Sequence, residues 1–375
     1  MIIHFSILLL IIIVSAFYEH TFLVNKKTVI AGGGTASDYL GSIIPWLIVF
    51  GYIAFLAGMR SNVNDTYAYR DSFINLNASW DGIRGMIAGD AKDKGFTVLA
   101  MLFKMYVSKD YHFWFLFVAA IESMLIVNVL KREAVSFLDA CLLFFVTALY
   151  FNYFSMMRQW IAVSIVFWGS RFIKSKKLFL FIILCVFAAQ FHNSAYFMLF
   201  AYFIVTGKAW SKKQAIIIVS FTFAILFLQP ILGTISSFSE DSTYSYVIDT
   251  MQTNSGSSLA RIPIAAVPLV LAYIHRNRIN ADDPIINISI NMTLINLLMI
   301  TLASFTSGLF IGRMSNYTQV YTLILLPYLF NVVIEEKNKV SIKLGIYFMY
   351  FIFYILQMNV SGSFYYGSDI LGYHI

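Results

Sequence analysis

Three arginines and one histidine are the side chains best placed to do chemistry in this sequence: Arg60, Arg158, Arg313 and His192. Each arginine stands at the end of an apolar run, and a cation at the edge of hydrocarbon is costly unless something holds it there. A guanidinium is planar and donates in pairs, which matches phosphate oxygens. Arg158-Gln159 and Arg313 are expected to open helices, whose free N–H groups and dipole also favour an anion. Taken singly, each arginine reads equally as a snorkelling anchor. His192 lies in Phe191-His192-Asn193-Ser194-Ala195. A histidine can take a proton from a hydroxyl or stay protonated against phosphate. The plainer alternative is a structural histidine bonded to a backbone carbonyl.

Asp65, Tyr67 and Tyr69 follow Arg60 in a polar stretch, and Tyr317 follows Arg313. Aromatic rings can stack on sugar faces, and a carboxylate can accept a hydroxyl proton. The competing reading of 60–73 is an interfacial aromatic belt with a local Arg–Asp pair. Asp81, Asp90 and Asp93 are not spaced as a tight metal-binding pair, and no His-Cys cluster has zinc spacing. There is no glycine-rich phosphate loop; Gly32-Gly33-Gly34 follows no strand and reads as a turn. Neither a metal nor a cofactor is expected.

The elements that must position these residues follow from composition. Of 375 residues, 59% are hydrophobic, 17% aromatic and only 12% charged, with a mean hydropathy of +0.76. Lipid is therefore the solvent for most side chains. A bilayer crossing takes roughly 20 apolar residues, and backbone groups in lipid must bond within their own segment. Continuous apolar runs, rather than short alternating ones, predict helices and not a barrel. The fold class expected is all-α: a single polytopic transmembrane domain over 1–375, of about 12 spanning or half-spanning helices. The run 2–17 lacks a basic leader and a small-residue cleavage pattern, so it reads as a retained first helix. Cys141 and Cys185 lie in apolar runs and imply no disulfide framework.

Lys and Arg mark cytoplasmic loops. Loops around 26–27, 131–132, 171–177, 208–213, 276–278 and 337–343 hold sixteen of the twenty-six. With these inside, helices pair as 2–17 with 39–59, 111–130 with 137–151, and 156–172 with 178–190. The remaining pairs are 194–206 with 213–232, 262–275 with 285–306, and 313–334 with 341–357. The stretches 60–110 and 233–261 are then extracytoplasmic loops. Residues 95–106 are short for a span and interrupted by Lys104, which predicts an interfacial helix. Residues 178–206 reach about 43 Å as helix, too long for one crossing and short for two, so the chain must turn near His192.

The net charge of +7 is spread over short loops and signals topology, not nucleic acid. Arg60, Arg158, Arg313 and His192 fall on the opposite, outer side, where basic residues are disfavoured. A lipid-linked diphosphate would account for them: its tail lies in the bilayer and its charge at the interface.

In their order the motifs resemble the EpsG family of polysaccharide polymerases, related in role to Wzy O-antigen polymerases. The resemblance rests on Arg60 with Asp65, Tyr69 and Phe73; Gly95-Phe96; Arg158-Gln159 with Ile161-Ala162; Phe191-His192 with Ser194-Ala195; and Arg313 with Tyr317 ahead of Pro327. Lys94 departs from the acidic residue or proline expected before Gly95-Phe96. The resemblance implies a bacterial inner-membrane glycosyltransferase that extends O-antigen, exopolysaccharide or capsule from undecaprenyl-diphosphate-linked oligosaccharide. A chain-length regulator would be a further partner. Arg158, Arg313 and Arg60 would stabilise the departing diphosphate. His192 or Asp65 would be the base, and Tyr69, Gln159 and Tyr317 would support the sugars. A flippase of the same lipid and a membrane acyltransferase are the competing readings. Transporters put charges near the midplane, and an acyl donor would arrive from the cytoplasm.

Overall fold

The computed structural model describes residues 2–29, 36–227, 256–306, 308, 311–360 and 364–373. Most of the serine-rich stretch 233–261 and Gly32-Gly33-Gly34 lie outside the described residues. Among the described residues every regular element is a helix, and β-pairing is limited to two isolated bridges. The chain gathers into two compact units, Met1–Ser170 with Ile182–Tyr196 and Glu335–Ile375, and Arg171–Phe181 with Phe197–Ile334.

In the first unit the helices are α1 (Ile2–Val29), α2 (Ala36–Gly58), α3 (Thr66–Ile74), α4 (Trp80–Ala88), α5 (Lys94–Tyr106), α6 (Tyr111–Glu133) and α7 (Phe137–Val146). A 3₁₀ turn then leads into the short α8 (Asn152–Ser155), followed by α9 (Met157–Trp168). Ser170–Lys174 (α10) and Leu178–Ala189 (α11) each straddle the division. The second unit holds α12 (Phe197–Val205), α13 (Lys212–Leu226), α14 (Arg261–Ile274), α15 (Pro284–Phe305), and the short α16 (Ile311–Met314), α17 (Asn316–Gln319) and α18 (Thr322–Tyr328). Glu336–Val360 (α19) returns to the first unit.

Helix positions follow the apolar runs, and among the described residues most of the apolar helices are shorter than a full span. Among the described residues α6, α15 and α19 are long and apolar enough to cross a membrane. The pair 137–146 and 149–155, bent by 66°, would be a fourth. Six further apolar helices are shorter. The breaks have local causes. Ala148 takes a left-handed conformation (φ 56°), and the Thr147 hydroxyl donates to the Leu143 carbonyl at 2.6 Å, so α7 stops there. After Pro327 the chain from Leu329 to Val333 winds as a π-helix, which interrupts the α-helical run.

The side chains are arranged for lipid. Along α19, Val340, Leu344, Phe348, Ile352 and Leu356 are all exposed at intervals of four residues, while Tyr350, Tyr354 and Met358 are buried. One stripe thus faces outward and is apolar, the reverse of a water-soluble helix. Asp139, fully buried in α7, anchors this helix: Lys343 Nζ lies 2.6 Å away and the Tyr347 hydroxyl donates to it at 2.8 Å. In the second unit the Asn291 amide donates to the Val205 carbonyl at 3.0 Å, and Asn287 accepts from the Ala209 N–H at 2.7 Å. These bonds tie the loop after α12 to α15, meeting polar demands that lipid cannot.

The stretch 60–110 carries three short helices on an aromatic base. Trp114 of α6 stacks with Phe73 of α3 at 5.8 Å and meets Phe96 and Phe103 of α5, each at 5.4 Å. Lys104 does not interrupt α5. Its ammonium folds against the end of α3 and donates to the carbonyls of Phe73, Ile74 and Leu76 at 2.9, 2.6 and 3.0 Å, satisfying groups that a helix C-terminus leaves unpaired. At 13 residues, α5 is a short helix packed on α6.

Candidate functional site

Arg158 is the second residue of α9. Its side chain is 34% exposed. The guanidinium lies 5.8 Å from the ring centre of Tyr69 and 5.6 Å from that of Phe96. Those rings are brought there by α3 and α5, both set on Trp114. Its one carboxylate neighbour is Asp93, with Oδ2 at 3.7 Å, an ion-pair distance and not a hydrogen bond. The Arg158 Nε is buried with no partner among the described residues. A guanidinium held by rings and a distant charge keeps its donors for something else.

Asp93 is a loosely spaced acidic residue in the sequence, yet it sits at the junction of the site. It precedes α5 in a left-handed conformation (φ 55°, ψ 41°) and makes no capping bond to its own helix. Its other oxygen, Oδ1, accepts the Asn193 N–H at 3.3 Å. The Gln190 carbonyl in turn accepts from the N–H groups of Gly95 and Phe96 at 2.8 and 3.3 Å. A Cβ on Gly95 would stand 2.9 Å from that carbonyl oxygen and 2.6 Å from Gln190 Cβ; glycine is what allows the approach. The Gly95-Phe96 pair of the sequence motif is therefore a docking step for the His192 turn.

That turn falls where chain length placed it. α11 ends at Ala189 and a 3₁₀ turn covers Asn193–Tyr196. His192 is half-buried. Its Nδ1 lies 2.6 Å from the Ser194 hydroxyl and accepts the Ser194 N–H at 3.3 Å. The tautomer consistent with this amide contact has Nδ1 accepting and the hydrogen on Nε2. In that form Nε2 is a donor, which suits a phosphate oxygen better than proton abstraction.

Tyr69 gathers the charges on this side of the unit. Burial pushes its phenol above the usual range, with Asp65 adding to the rise and Arg158 and Arg60 opposing it. Asp65 is exposed at the N-terminus of α3, and its side chain caps nothing. Gln159, beside Arg158, is buried.

Arg60 lies apart from the surface that Arg158 shares with Tyr69 and Phe96. It is fully buried. Its Nε donates to the Thr66 hydroxyl at 3.1 Å, one Nη donates to the Ala57 carbonyl, and the guanidinium lies over Phe115. Burial pushes its pKa down to about 10, with the Glu122 carboxylate in α6 opposing. Residues 364–373 close over it. Ser61 N–H donates to the Gly367 carbonyl at 2.8 Å, the Tyr366 hydroxyl to the Leu56 carbonyl at 2.8 Å, and Asp369 N–H to the Ser61 hydroxyl at 3.0 Å. Arg60 thus organises the loop that leads to Asp65 and Tyr69, with its second Nη buried and without a partner among the described residues. Nothing local in the sequence shows this, because the enclosing segment is about three hundred residues away.

Arg313 and Tyr317 belong to the second unit. Arg313 is exposed but does not open a long helix. It is the third residue of the four-residue α16, after which the chain is broken into α17 and α18. Tyr317 is buried. Among the described residues no group of three or more His, Cys, Asp or Glu could hold a metal ion.

The model of the EpsG family matches residues 43–373. No curated protein and no solved structure matches the chain.

Proposed function

Because the chain belongs to the EpsG family and so is a membrane protein of polysaccharide biosynthesis, we propose that it is a glycosyltransferase joining lipid-diphosphate-linked oligosaccharide repeat units on the extracytoplasmic face of the bacterial inner membrane. The observation that carries this reading is Arg158. It is a half-exposed guanidinium near the start of a twelve-residue helix, with a buried Nε that no described residue satisfies. Undecaprenyl diphosphate supplies the anion such a group lacks.

In the reaction a hydroxyl of one lipid-linked unit attacks the anomeric carbon of the growing chain. The new C–O bond forms as the bond to the diphosphate breaks, and the electron pair leaves with the diphosphate. Arg158 bears the charge that develops there. His192, a donor at Nε2 in its neutral form, adds a hydrogen bond to a phosphate oxygen. Asp65, whose carboxylate is not spent on capping, takes the hydroxyl proton. Tyr69 borders Arg158 and supports the sugar, and Gln159 backs Arg158 from within the fold.

The test is polymerisation by the purified protein in lipid nanodiscs, given purified lipid-linked repeat units. Wild type makes long chains, and Arg158→Ala and Asp65→Asn leave the supplied units unjoined. If wild type left the units unjoined but moved them across a vesicle bilayer, the flippase reading would take its place.

A further inference from the structure

We propose that Asp93 is the positioning residue of this site, one carboxylate setting Arg158 with one oxygen and the His192 turn with the other. The catalytic consequence rests on the glycosyltransferase reading; the joint itself does not.

An aspartate just before a helix ordinarily spends its oxygens on the first free N–H groups. Asp93 does not. Oδ1 goes instead to Asn193 N–H across a gap of a hundred residues in sequence, and Oδ2 faces Arg158. A left-handed backbone at a residue other than glycine must be held by its surroundings. Here the Gly95 and Phe96 bonds to Gln190 hold it. The Asp93 side chain is only 13% exposed, so water screens its charge poorly and the pull on Arg158 is felt. At 3.7 Å that pull orients the guanidinium without consuming its N–H groups. With one oxygen committed to the turn and the other to the cation, Asp93 is arranged to place groups and not to move a proton.

The geometry makes separable demands. Asp93→Asn keeps an acceptor for Asn193 and removes the charge; Asp93→Ala removes both. Hydrogen–deuterium exchange on the full chain in nanodiscs reads the turn. Amides of 190–196 should exchange roughly tenfold faster in Asp93→Ala and stay near wild type in Asp93→Asn. Polymerisation reads the cation. Asp93→Asn should lower kcat about a hundredfold with KM for the lipid-linked unit little changed, as displaced catalytic groups do. Adding Asp93→Asn to Arg158→Lys should cost nothing further, because both changes act on one guanidinium. Unchanged exchange in Asp93→Ala, or full additivity in the double variant, overturns the proposal. If exchange responds as stated while wild type joins no repeat units, the joint stands and the glycosyltransferase reading falls.

Discussion

The central guanidinium carbon of Arg60 lies 4.2 Å from the ring centroid of Phe115. A cation set over a ring face, bonded to a carbonyl and a hydroxyl and covered by a distant segment, is part of the protein's frame. Arg60 and Arg158 look alike in the sequence, each closing or opening an apolar run, yet their surroundings separate structure from chemistry.

Arg60→Ala should therefore reduce folded protein before it reduces turnover. Removing the guanidinium takes away its bonds to the Thr66 hydroxyl and the Ala57 carbonyl, and a bond to a charged group is worth about 1.5–3 kcal/mol. The measurement is the thermal midpoint in detergent, alongside activity per folded molecule. A variant with a wild-type midpoint and no polymer would return Arg60 to the ligand-binding set.

Arg158→Lys should behave in the opposite way. The charge remains, but paired donation is lost. Turnover should fall roughly a hundredfold or more, the scale of losing one donor to developing charge, at an unchanged midpoint. Polymerisation kinetics beside a melting curve decide it.

Lys104→Met keeps the side chain's length and removes three bonds to carbonyls at the end of α3. Bonds to a charged group are worth about 1.5–3 kcal/mol each when isolated, and a shared ammonium gives less than their sum. Faster amide exchange across 66–76 and a lower midpoint are expected. No change in either would show that α3 is held by Trp114 alone.

Gly95→Ala should push the Gln190 carbonyl away from α5, at about 1–3 kcal/mol of overpacking. Gly85→Ala, where a Cβ meets nothing within 4 Å, is the matched control. Only the first should impair polymerisation, and a loss in both would point to α4 and not to the turn.

What the sequence disclosed depended on range. Apolar runs placed the helices because lipid imposes that pattern residue by residue. The turn at His192 was legible because 178–206 cannot fit one or two full crossings. Arg158 was legible as a cation at a helix start. Asp93 was not, since its importance comes from a left-handed backbone and from partners at 158 and 193. Lys104 looked like an interruption because the carbonyls it caps belong to another helix. Arg313 looked like a helix start because the breaks after Met314 come from local winding that a hydropathy pattern does not record. The shortness of several helices was hidden for the same reason: Ala148 carries no breaker signature.

The clasp of Gly367 and Tyr366 on the Leu56–Ser61 loop also sets an order of events during biosynthesis. Every described helix precedes residue 367 in the chain, and so leaves the ribosome before it. Until that segment emerges, the approach to Asp65 and Tyr69 lacks its last support, so a nascent chain already threaded into the bilayer still holds an unfinished site. The last support of this loop is thus laid down only after α19.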